Sequence, residues 1–541
     1  MKKILCLLSV ICFQHLSAQQ RNIPSRPKLV VGLVIDQMRW DYLYRFKSNY
    51  GKEGFARLMS EGFSCENTMV PYVPTYTAPG HSSIYTGSVP AINGIVGNDW
   101  YDFDSKKNRY CTEDSTVNTV GSLSVLGKMS PRNLLVTTVT DELRLATNFK
   151  SKVIGISLKD RGAILPAGHA ANAAYWYDDT NGRWISSTYY QSQLPSWLTN
   201  YNEKNWVEKA MANDWNLLLP KEKYGQSSED NKPYEGNLPE EKSPVFPHRL
   251  SQINKARFSA FKYTPFASTY TFNMAKEVIT QEKMGAGDVT DMLTVSISST
   301  DYAGHTFGPN SLEIEDTYLR LDKDIAEFLQ FLDAKIGKGN YLLFLTADHA
   351  GAHVPGFAEE HNIPAGNYSS GTLSKELKDL LLLKFGSDTM FIKIQNNQVY
   401  LDESFVNRRD EMTAKVKQTI IQFLSDQPFV AFAFSNDNIS NATIPQPIKE
   451  RLINGYNVKR SGQIGYVLEP GYIGMGNTGT THGAWNPYDA HIPLVWFGKN
   501  IKAGHTNKET LMTDIAPTLS ALLHIQMPNG SVGKVLPLIP E

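Results

Sequence analysis

Four short, largely apolar runs constrain the fold of this chain more than any other feature. They lie at residues 28–35, 152–158, 291–297 and 341–346. Such runs are typical of parallel strands, because these strands are buried on both faces of a sheet. Residues 134–148 and 312–336 instead carry apolar side chains at helical spacing. We therefore predict an α/β fold whose central sheet is mostly parallel and is flanked by helices on both faces.

The N-terminus has the pattern of a secretory signal peptide. Two lysines precede an apolar run at residues 4–13, and small residues then lead to a cleavage site between Ala18 and Gln19. No later stretch is long and apolar enough to span a membrane. We therefore predict a signal peptide at residues 1–18 and a mature chain, residues 19–541, that is periplasmic or secreted.

The composition excludes some classes of function. The chain has 541 residues, a formal net charge of −1 and 20% charged residues. It lacks the basic surplus that a nucleic-acid-binding surface requires. After signal cleavage only Cys65 and Cys111 remain, and the sequence leaves open whether they form a disulfide. It does not predict an oligomeric state.

Two ranges depart from the alternation of strands and helices. From residue 190 to about 285 the chain loses its periodicity, and we interpret this range as an insertion that could cover the site. Residues 365–470 mix helices with short strands, and we interpret them as an α+β insertion.

Residues 70–87 are the stretch where we place the chemistry. Pro71 and Pro74 favour extended backbone, and Pro79 suits the first turn of a helix. Thr77 therefore lies just before a helix, where unpaired N–H groups and the helix dipole favour an alkoxide and an arriving phosphate. On this stretch alone, a simple helix cap is the commoner explanation of Thr77.

Metal-type ligands follow several of the predicted strands. They are Asp36, Asp301, His305, Asp348, His349 and His482. In open α/β sheets ligands bind at the carboxyl ends of the strands, so these side chains can converge. Gly304 favours a turn over a regular helix between Asp301 and His305. Taken singly, Asp36 could be a helix cap, and Asp348 a core carboxylate bonded to its neighbour His349.

Three carboxylates and three imidazoles form a ligand set that suits two Zn²⁺ ions. Zinc lowers the pKa of a bound hydroxyl, so Thr77 could attack as an alkoxide near neutral pH. Lys159 and Arg161 follow another strand and could clamp a phosphate, although without the other ligands a solvated loop would be the default explanation. Asn98 could donate its amide N–H to a phosphoryl oxygen or serve as a turn residue.

The ordered motifs resemble the alkaline phosphatase superfamily, on the branch shared with nucleotide pyrophosphatase/phosphodiesterases. The matching residues are Asp36, Thr77-Ala-Pro-Gly-His81, Thr86-Gly87, Asn98, Asp301-Tyr-Ala-Gly-His305, Asp348-His349 and Thr481-His482-Gly483. The resemblance implies an alkaline-phosphatase-like sandwich with inserted subdomains. It implies two zinc ions, one held by Asp36, Asp348, His349 and Thr77 and the other by Asp301, His305 and His482. It also implies a phosphothreonine intermediate on Thr77.

Within this superfamily the chain is most similar to the phosphate-irrepressible alkaline phosphatases. Lys159, Arg161 and Asn98 carry that similarity, because cations suit the dianionic group of a phosphate monoester. Asn93 stands where many diesterase relatives have a histidine. We therefore expect a broad-range hydrolase of small-molecule phosphate monoesters.

Other functions stay open at this point. They are a phosphodiesterase or nucleotide pyrophosphatase of the same superfamily and an exported zinc- or phosphate-binding protein without activity. No cysteine or serine lies in the motif of a sulfatase nucleophile. We assign His491 a structural role, and His81, His353 and His361 no role.

Overall fold

The computed structural model describes residues 25–538, so the predicted signal peptide lies outside the described residues. The strands are β1 (Leu29–Ile35), β2 (Phe63–Met69), β3 (Asp99–Asp102), β4 (Lys107–Tyr110), β5 (Thr119–Val120), β6 (Val153–Ser157), β7 (Ala173–Asp178), β8 (Arg183–Ser187), β9 (Asp291–Ile297), β10 (Tyr341–Thr346), β11 (Gly366–Asn367), β12 (Phe391–Gln395), β13 (Gln398–Leu401), β14 (Val430–Ser435), β15 (Ile464–Leu468), β16 (Tyr472–Ile473), β17 (His491–Ile492), β18 (Leu494–Gly498) and β19 (Gly504–Leu511).

The α-helices alternate with these strands over much of the chain. They are α1 (Tyr42–Arg45), α2 (Phe55–Glu61), α3 (Thr77–Thr86), α4 (Pro90–Asn93), α5 (Val139–Ala146), α6 (Asp160–Ala167), α7 (Ser196–Asn202), α8 (Trp206–Met211), α9 (Arg257–Phe261), α10 (Phe266–Gln281), α11 (Ser299–Phe307), α12 (Leu312–Leu332), α13 (Pro355–Glu360), α14 (Ser370–Phe385), α15 (Glu403–Val406), α16 (Glu411–Ser425), α17 (Gln446–Gly455), α18 (Pro487–Ala490) and α19 (Ile515–Leu523).

The central sheet confirms the predicted α/β class. Its strand order is β17-β2-β18-β10-β1-β9-β6-β7-β8-β5, and β19 also pairs with β2. The five strands in the middle, from β10 to β7, are parallel to one another. Antiparallel pairs lie toward the two edges, where β18 joins β10 and β8 joins β7. The parallel centre brings the carboxyl ends of β10, β1 and β9 to one edge of the sheet, side by side.

The largely apolar sequences of the central strands explain their place in the sheet. Every residue of β1, β9 and β10 is buried, so each strand packs on both of its faces. Helix α12 closes one side with Ile314, Tyr318 and Phe328, which belong to the same hydrophobic core as the strands. The sheet is therefore a rigid platform for whatever follows its carboxyl ends.

The range that we interpreted as the second insertion contains a separate antiparallel sheet. Its strand order is β12-β13-β15-β14. Leu377, Val399 and Ile420 are among the residues of a hydrophobic cluster that is distinct from the main core. In the other predicted insertion, helix α10 contributes Met274 and Val278 to the main core. The division into inserted subdomains stays a prediction.

Two strands of the central sheet, β2 and β19, lie in sequence for which we predicted no strand. Cys65 and Cys111 are both buried and unpaired in the described part of the chain. None of the helices within residues 25–538 combines the length and hydropathy that a membrane-spanning segment needs.

Candidate active site

The site lies at the carboxyl ends of β1, β9 and β10, the central parallel strands. Asp36 directly follows β1, and Asp348 comes two residues after β10. Asp301 lies in helix α11, which begins two residues after β9. All three carboxylates are buried. The sheet topology therefore brings together acidic groups that are far apart in sequence.

Asp301 and His305 lie on one regular helix, and our expectation of a turn at Gly304 was wrong. Both side chains are on the same face of α11, and His305 Nε2 lies 3.2 Å from Asp301 Oδ1. A Cβ atom at position 304 would lie 1.9 Å from Gln37 Oε1. Glycine is present here because the side chain of Gln37 packs directly against the helix backbone, so tertiary packing overrides helix propensity.

The structure brings the six predicted ligands together in two groups. Among the described residues, these groups are Asp36 with Asp348 and His349, and Asp301 with His305 and His482. Within each group the potential ligand atoms lie within 4.8 Å of one another. The two groups adjoin, because the rings of His349 and His482 stack with 3.5 Å between their centroids.

Backbone carbonyls orient all three histidines in the same way. The Nδ1–H groups of His305, His349 and His482 donate to the carbonyls of Thr480, Ala350 and Thr75, over 2.7, 2.9 and 2.6 Å respectively. This bond places the proton on Nδ1 and leaves Nε2 as the acceptor that a metal requires. Burial lowers the pKa values of His349 and His482, so both rings are neutral near pH 7.

The carboxylates also fit a bound cation. Asp36 Oδ1 and Asp348 Oδ2 are buried, and neither oxygen accepts a hydrogen bond from any described residue. Burial, together with the charges of Asp301 and Asp348, raises the pKa of Asp36 well above its ordinary value. A buried carboxylate oxygen without a donor is costly unless a cation compensates it. Oxygen and imidazole donors in these two groups are a set that zinc accepts.

Thr77 lies beside both groups, at the start of helix α3. It is the first residue of the helix and not the residue before it, because Tyr76 is the N-cap. The Thr77 hydroxyl lies 3.4 Å from His349 Nε2 and 3.5 Å from Lys159 Nζ. A Cβ atom at Gly80 would lie 2.4 Å from the carbonyl oxygen of Asp348, so this glycine allows α3 to approach the Asp348 loop.

Lys159 connects the two ligand groups. Its ammonium lies 2.7 Å from Asp36 Oδ2 and 2.5 Å from Asp301 Oδ2. Burial alone would lower the pKa of Lys159, but Asp301 and Asp36 outweigh burial and raise it, so the side chain is charged. Lys159 is also the N-cap residue of α6 and does not lie in a solvated loop.

Asn98 and Arg161 flank this centre and have well-defined partners. Asn98 Oδ1 accepts a hydrogen bond from the Ala78 N–H over 3.0 Å. This bond does not use the NH₂ group of Asn98. Arg161 donates to the hydroxyl of Tyr110 over 2.9 Å. Lys159 and Arg161 both line a cavity of about 180 Å³ that is also bordered by Tyr302.

Two further residues at the site were not predicted from the sequence. Gln37 donates from its backbone N–H to Asp348 Oδ1 over 3.2 Å and from its side chain to Asp301 Oδ1 over 2.8 Å. His81, which we had left unassigned, donates to the Thr77 carbonyl and lies 3.2 Å from Asp348 Oδ2. The position of Gln37 directly after Asp36 was a usable signal, but its contacts depend on the fold.

The other histidines lie outside the two ligand groups. His353 bonds Asn310 over 2.7 Å, and the exposed His361 bonds the Phe357 carbonyl. His491 bonds the Glu66 carbonyl over 2.9 Å and stacks on Trp40, as a structural residue would.

Comparison with known proteins decides the family. The family model for type I phosphodiesterase / nucleotide pyrophosphatase matches residues 30–490, which include every predicted ligand. The chain belongs to this family. It is therefore a member of the alkaline phosphatase superfamily, as the motifs predicted.

Two of the similar proteins are named as alkaline phosphatases. Alkaline phosphatase PhoV of Synechococcus elongatus is 52% identical over 545 residues, which cover 99% of this chain and 98% of PhoV. Alkaline phosphatase PafA of Elizabethkingia meningoseptica is 51% identical, over 96% of this chain and 95% of PafA. The crystal structure of wild-type PafA matches with a TM-score of 0.93 over 96% of this chain and all of that structure. The chain is an enzyme of the alkaline phosphatase type.

Proposed function

We propose that this enzyme hydrolyses small phosphate monoesters of broad range through a covalent phosphothreonine on Thr77. The observation that carries the proposal is the position of the Thr77 hydroxyl. It lies 3.4 Å from His349, a member of one ligand group, and 3.5 Å from the ammonium of Lys159, which contacts Asp301 in the other. A hydroxyl in this position lies beside a fixed cation, the ammonium of Lys159, and beside a group of ligands that fits a metal ion.

Two zinc ions fit the donor sets on either side. Asp36, Asp348, His349 and Thr77 would hold one ion, and Asp301, His305 and His482 the other. When bound, the ions lower the pKa of the nucleophile and neutralise charge on the oxygens of the reacting phosphate. The three histidine ligands need no rearrangement to bind the ions, since the Nε2 atom of each already faces the other ligands of its group.

The residues of the chain supply the remaining steps. Thr77 forms a bond to phosphorus while the bond from phosphorus to the leaving alcohol breaks, and hydrolysis of the phosphothreonine then restores the hydroxyl. Phosphoryl transfer needs mainly positioning and charge stabilisation. Lys159 and Arg161 supply fixed positive charge, and Asn98 directs its NH₂ group as a neutral donor. The start of α3 adds the positive end of its helix dipole at Thr77.

A phosphodiesterase or nucleotide pyrophosphatase is the second candidate, because the matching family model carries that description. A diester has one charge less on its phosphoryl group and an additional substituent. The buried Lys159 and the neighbouring Arg161 favour the dianionic monoester, since two cations gain more from two charges than from one. PafA and PhoV, which are named as alkaline phosphatases, support the same choice.

The remaining proposals concern the setting of the reaction. We propose that residues 1–18 direct export and that the mature enzyme acts in the periplasm or outside the cell.

A zinc- or phosphate-binding protein without activity would keep the ligands but would not need a buried hydroxyl beside them.

Trapping the intermediate tests the proposal. The zinc-loaded enzyme is mixed with excess aryl phosphate monoester, quenched in acid and digested, and the peptides are analysed by mass spectrometry. Phosphate on Thr77 in the native enzyme and its absence in Thr77→Ala would support the proposal. Turnover without phosphate on Thr77, or with phosphate on another residue, would refute it.

A further inference from the structure

The hydroxyl of Tyr110 holds Arg161 in place through a short chain of hydrogen bonds. Arg161 Nη1 donates to this hydroxyl over 2.9 Å, and the hydroxyl donates to Asp160 Oδ1 over 2.7 Å. Thr112 donates to the other oxygen of Asp160 over 2.5 Å. Because the proton of Tyr110 is engaged with Asp160, its oxygen faces Arg161 as an acceptor. The direction of each bond in the chain is thus determined.

The same segment also positions Asn98. Strands β3 and β4 form a hairpin in which Asp99 pairs with Tyr110. Just beyond this pair, the N–H of Cys111 donates to the carbonyl of Asn98 over 2.9 Å. Asn98, which directly precedes β3, therefore lies at the same end of the hairpin as Tyr110, the last residue of β4.

A small hydrophobic cluster holds the hairpin to the catalytic elements. It contains Ala78, Ile95, Val96, Trp100, Cys111, Leu134 and Leu165, and Tyr110 packs against it. Ala78 directly follows the proposed nucleophile, and Leu165 lies in α6, the helix that begins beside Lys159. The cluster leaves the hairpin little freedom to move relative to Thr77 or Arg161.

Arg161 needs such support, because its other contacts are sparse. Its Nε is buried and has no hydrogen-bond partner among the described residues. A guanidinium stabilises a phosphoryl group well only if its planar fork is held at the correct angle. A flexible arginine would lose part of its interaction energy in being ordered by each substrate.

We propose that Tyr110 is a positioning residue, which acts on phosphate monoesters only through Arg161 and which couples the placement of Arg161 to that of Asn98. This inference rests on the proposed function, in which Arg161 contacts the phosphoryl group. Phenylalanine at position 110 keeps the ring against the cluster and removes both hydrogen bonds. Arg161 then loses the acceptor that orients it, while its charge stays.

A double-mutant cycle with Tyr110→Phe and Arg161→Ala tests the inference on the zinc-loaded, full-length enzyme. We expect Tyr110→Phe to lower kcat/KM for an aryl phosphate monoester about tenfold, the loss that one hydrogen bond to a charged group produces. In the Arg161→Ala background the same substitution should change kcat/KM by less than about twofold, because the two residues act as one unit. Titration calorimetry with inorganic phosphate supplies a readout without turnover, and Kd should rise in parallel.

Tyr101→Phe is the matched control. Tyr101 lies in β3 of the same hairpin, and its ring contacts Phe103 and Tyr400. Loss of the hydroxyl in Tyr101→Phe should change kcat/KM by less than about twofold.

The possible outcomes separate the inference from the function on which it rests. Equal losses from Tyr110→Phe in both backgrounds would overturn the inference, since they indicate a structural role or direct substrate contact. No loss in either background would overturn it as well. If Arg161→Ala itself left monoester hydrolysis unchanged, the proposed role of Arg161 would fail, and the inference with it.

Discussion

Gln37 donates its side-chain amide to Asp301 over 2.8 Å, although 264 positions separate the two residues in sequence. The backbone N–H of Gln37 donates to Asp348, so one residue contacts both groups of metal ligands. Its backbone has a φ angle of 62°, a conformation that L-residues adopt only when their surroundings compensate the strain. Gln37 therefore connects the two candidate metal sites directly.

Removal of this connection should weaken metal binding. We expect Gln37→Ala to lower zinc affinity at the site of Asp301, His305 and His482 about tenfold, a usual result of losing a residue that orients a ligand. Competition with a zinc chelator of known affinity measures the change. The exposed Gln252 offers a control, as Gln252→Ala should leave zinc affinity unchanged. Unchanged affinity in Gln37→Ala would show that Asp301 does not depend on Gln37.

Zinc removal should inactivate and destabilise the enzyme together. Asp36 Oδ1 and Asp348 Oδ2 lack hydrogen-bond donors among the described residues. A cation bound to these oxygens therefore stabilises the folded state. Zinc at a hundred times its Kd adds about 3 kcal/mol to the free energy of unfolding. Calorimetry before and after chelation should show a lower Tm, and added zinc should restore both Tm and turnover. An enzyme that contains no metal by elemental analysis yet hydrolyses monoesters would contradict the assignment.

Thr77 should be replaceable by serine but not by alanine. Thr77→Ala removes the proposed nucleophile, and loss of such a group lowers kcat by about 10³-fold or more. Thr77→Ser keeps a hydroxyl at the start of α3 and should retain much of the activity. Steady-state kinetics on an aryl monoester, with Tm as a check on folding, measures both variants. Alanine with near-native turnover would exclude Thr77 as the nucleophile.

His248 should make stability depend on pH away from the site. Burial alone would lower its pKa, but hydrogen bonds to Glu241 and Glu313 outweigh burial and raise it to about 9. The folded state therefore binds this proton more tightly than the unfolded state does. The stabilisation is complete below about pH 6.5, the unfolded pKa, and is lost as pH rises through about 9; it amounts to about 3 kcal/mol.

Urea unfolding between pH 6.5 and 9.5 measures this loss. In His248→Gln the free energy of unfolding should be lower at pH 6.5 and should fall less steeply toward pH 9.5. Equal slopes in the two proteins would assign the pH dependence to other groups.

The strands beneath the site were predictable because their residues are compatible with few structures other than a buried parallel strand. Every side chain of β1, β9 and β10 is buried, and most of their residues are apolar. Strand β2 (FSCENTM) and strand β19 (GHTNKETL) mix polar and apolar residues, and β19 is largely exposed. Their pairing is stabilised by tertiary contact and not by local pattern, so the sequence contained no clear signal for them.

The candidate site was predictable in its ligands but not in its supporting contacts. Aspartate and histidine after buried strands indicate convergence, because parallel strands end at one edge. Helix α11 was missed because glycine lowers helix propensity, and only the contact between Gly304 and Gln37 explains the residue. The hydrogen bond from Arg161 to Tyr110 joins residues 51 positions apart and has no local sequence signature.

The central claim is that Lys159 and Arg161 make this enzyme a monoesterase. The most direct test is kcat/KM of the zinc-loaded enzyme for an aryl phosphate monoester and for the matching methyl aryl diester, in the native protein and in the Lys159→Ala, Arg161→Ala double variant. We predict that the native enzyme prefers the monoester and that the double variant loses about 10²-fold or more of monoester activity, the usual cost of removing a charge-stabilising group, but far less of diester activity. Preference of the native enzyme for the diester, or equal losses on both substrates, would contradict the account.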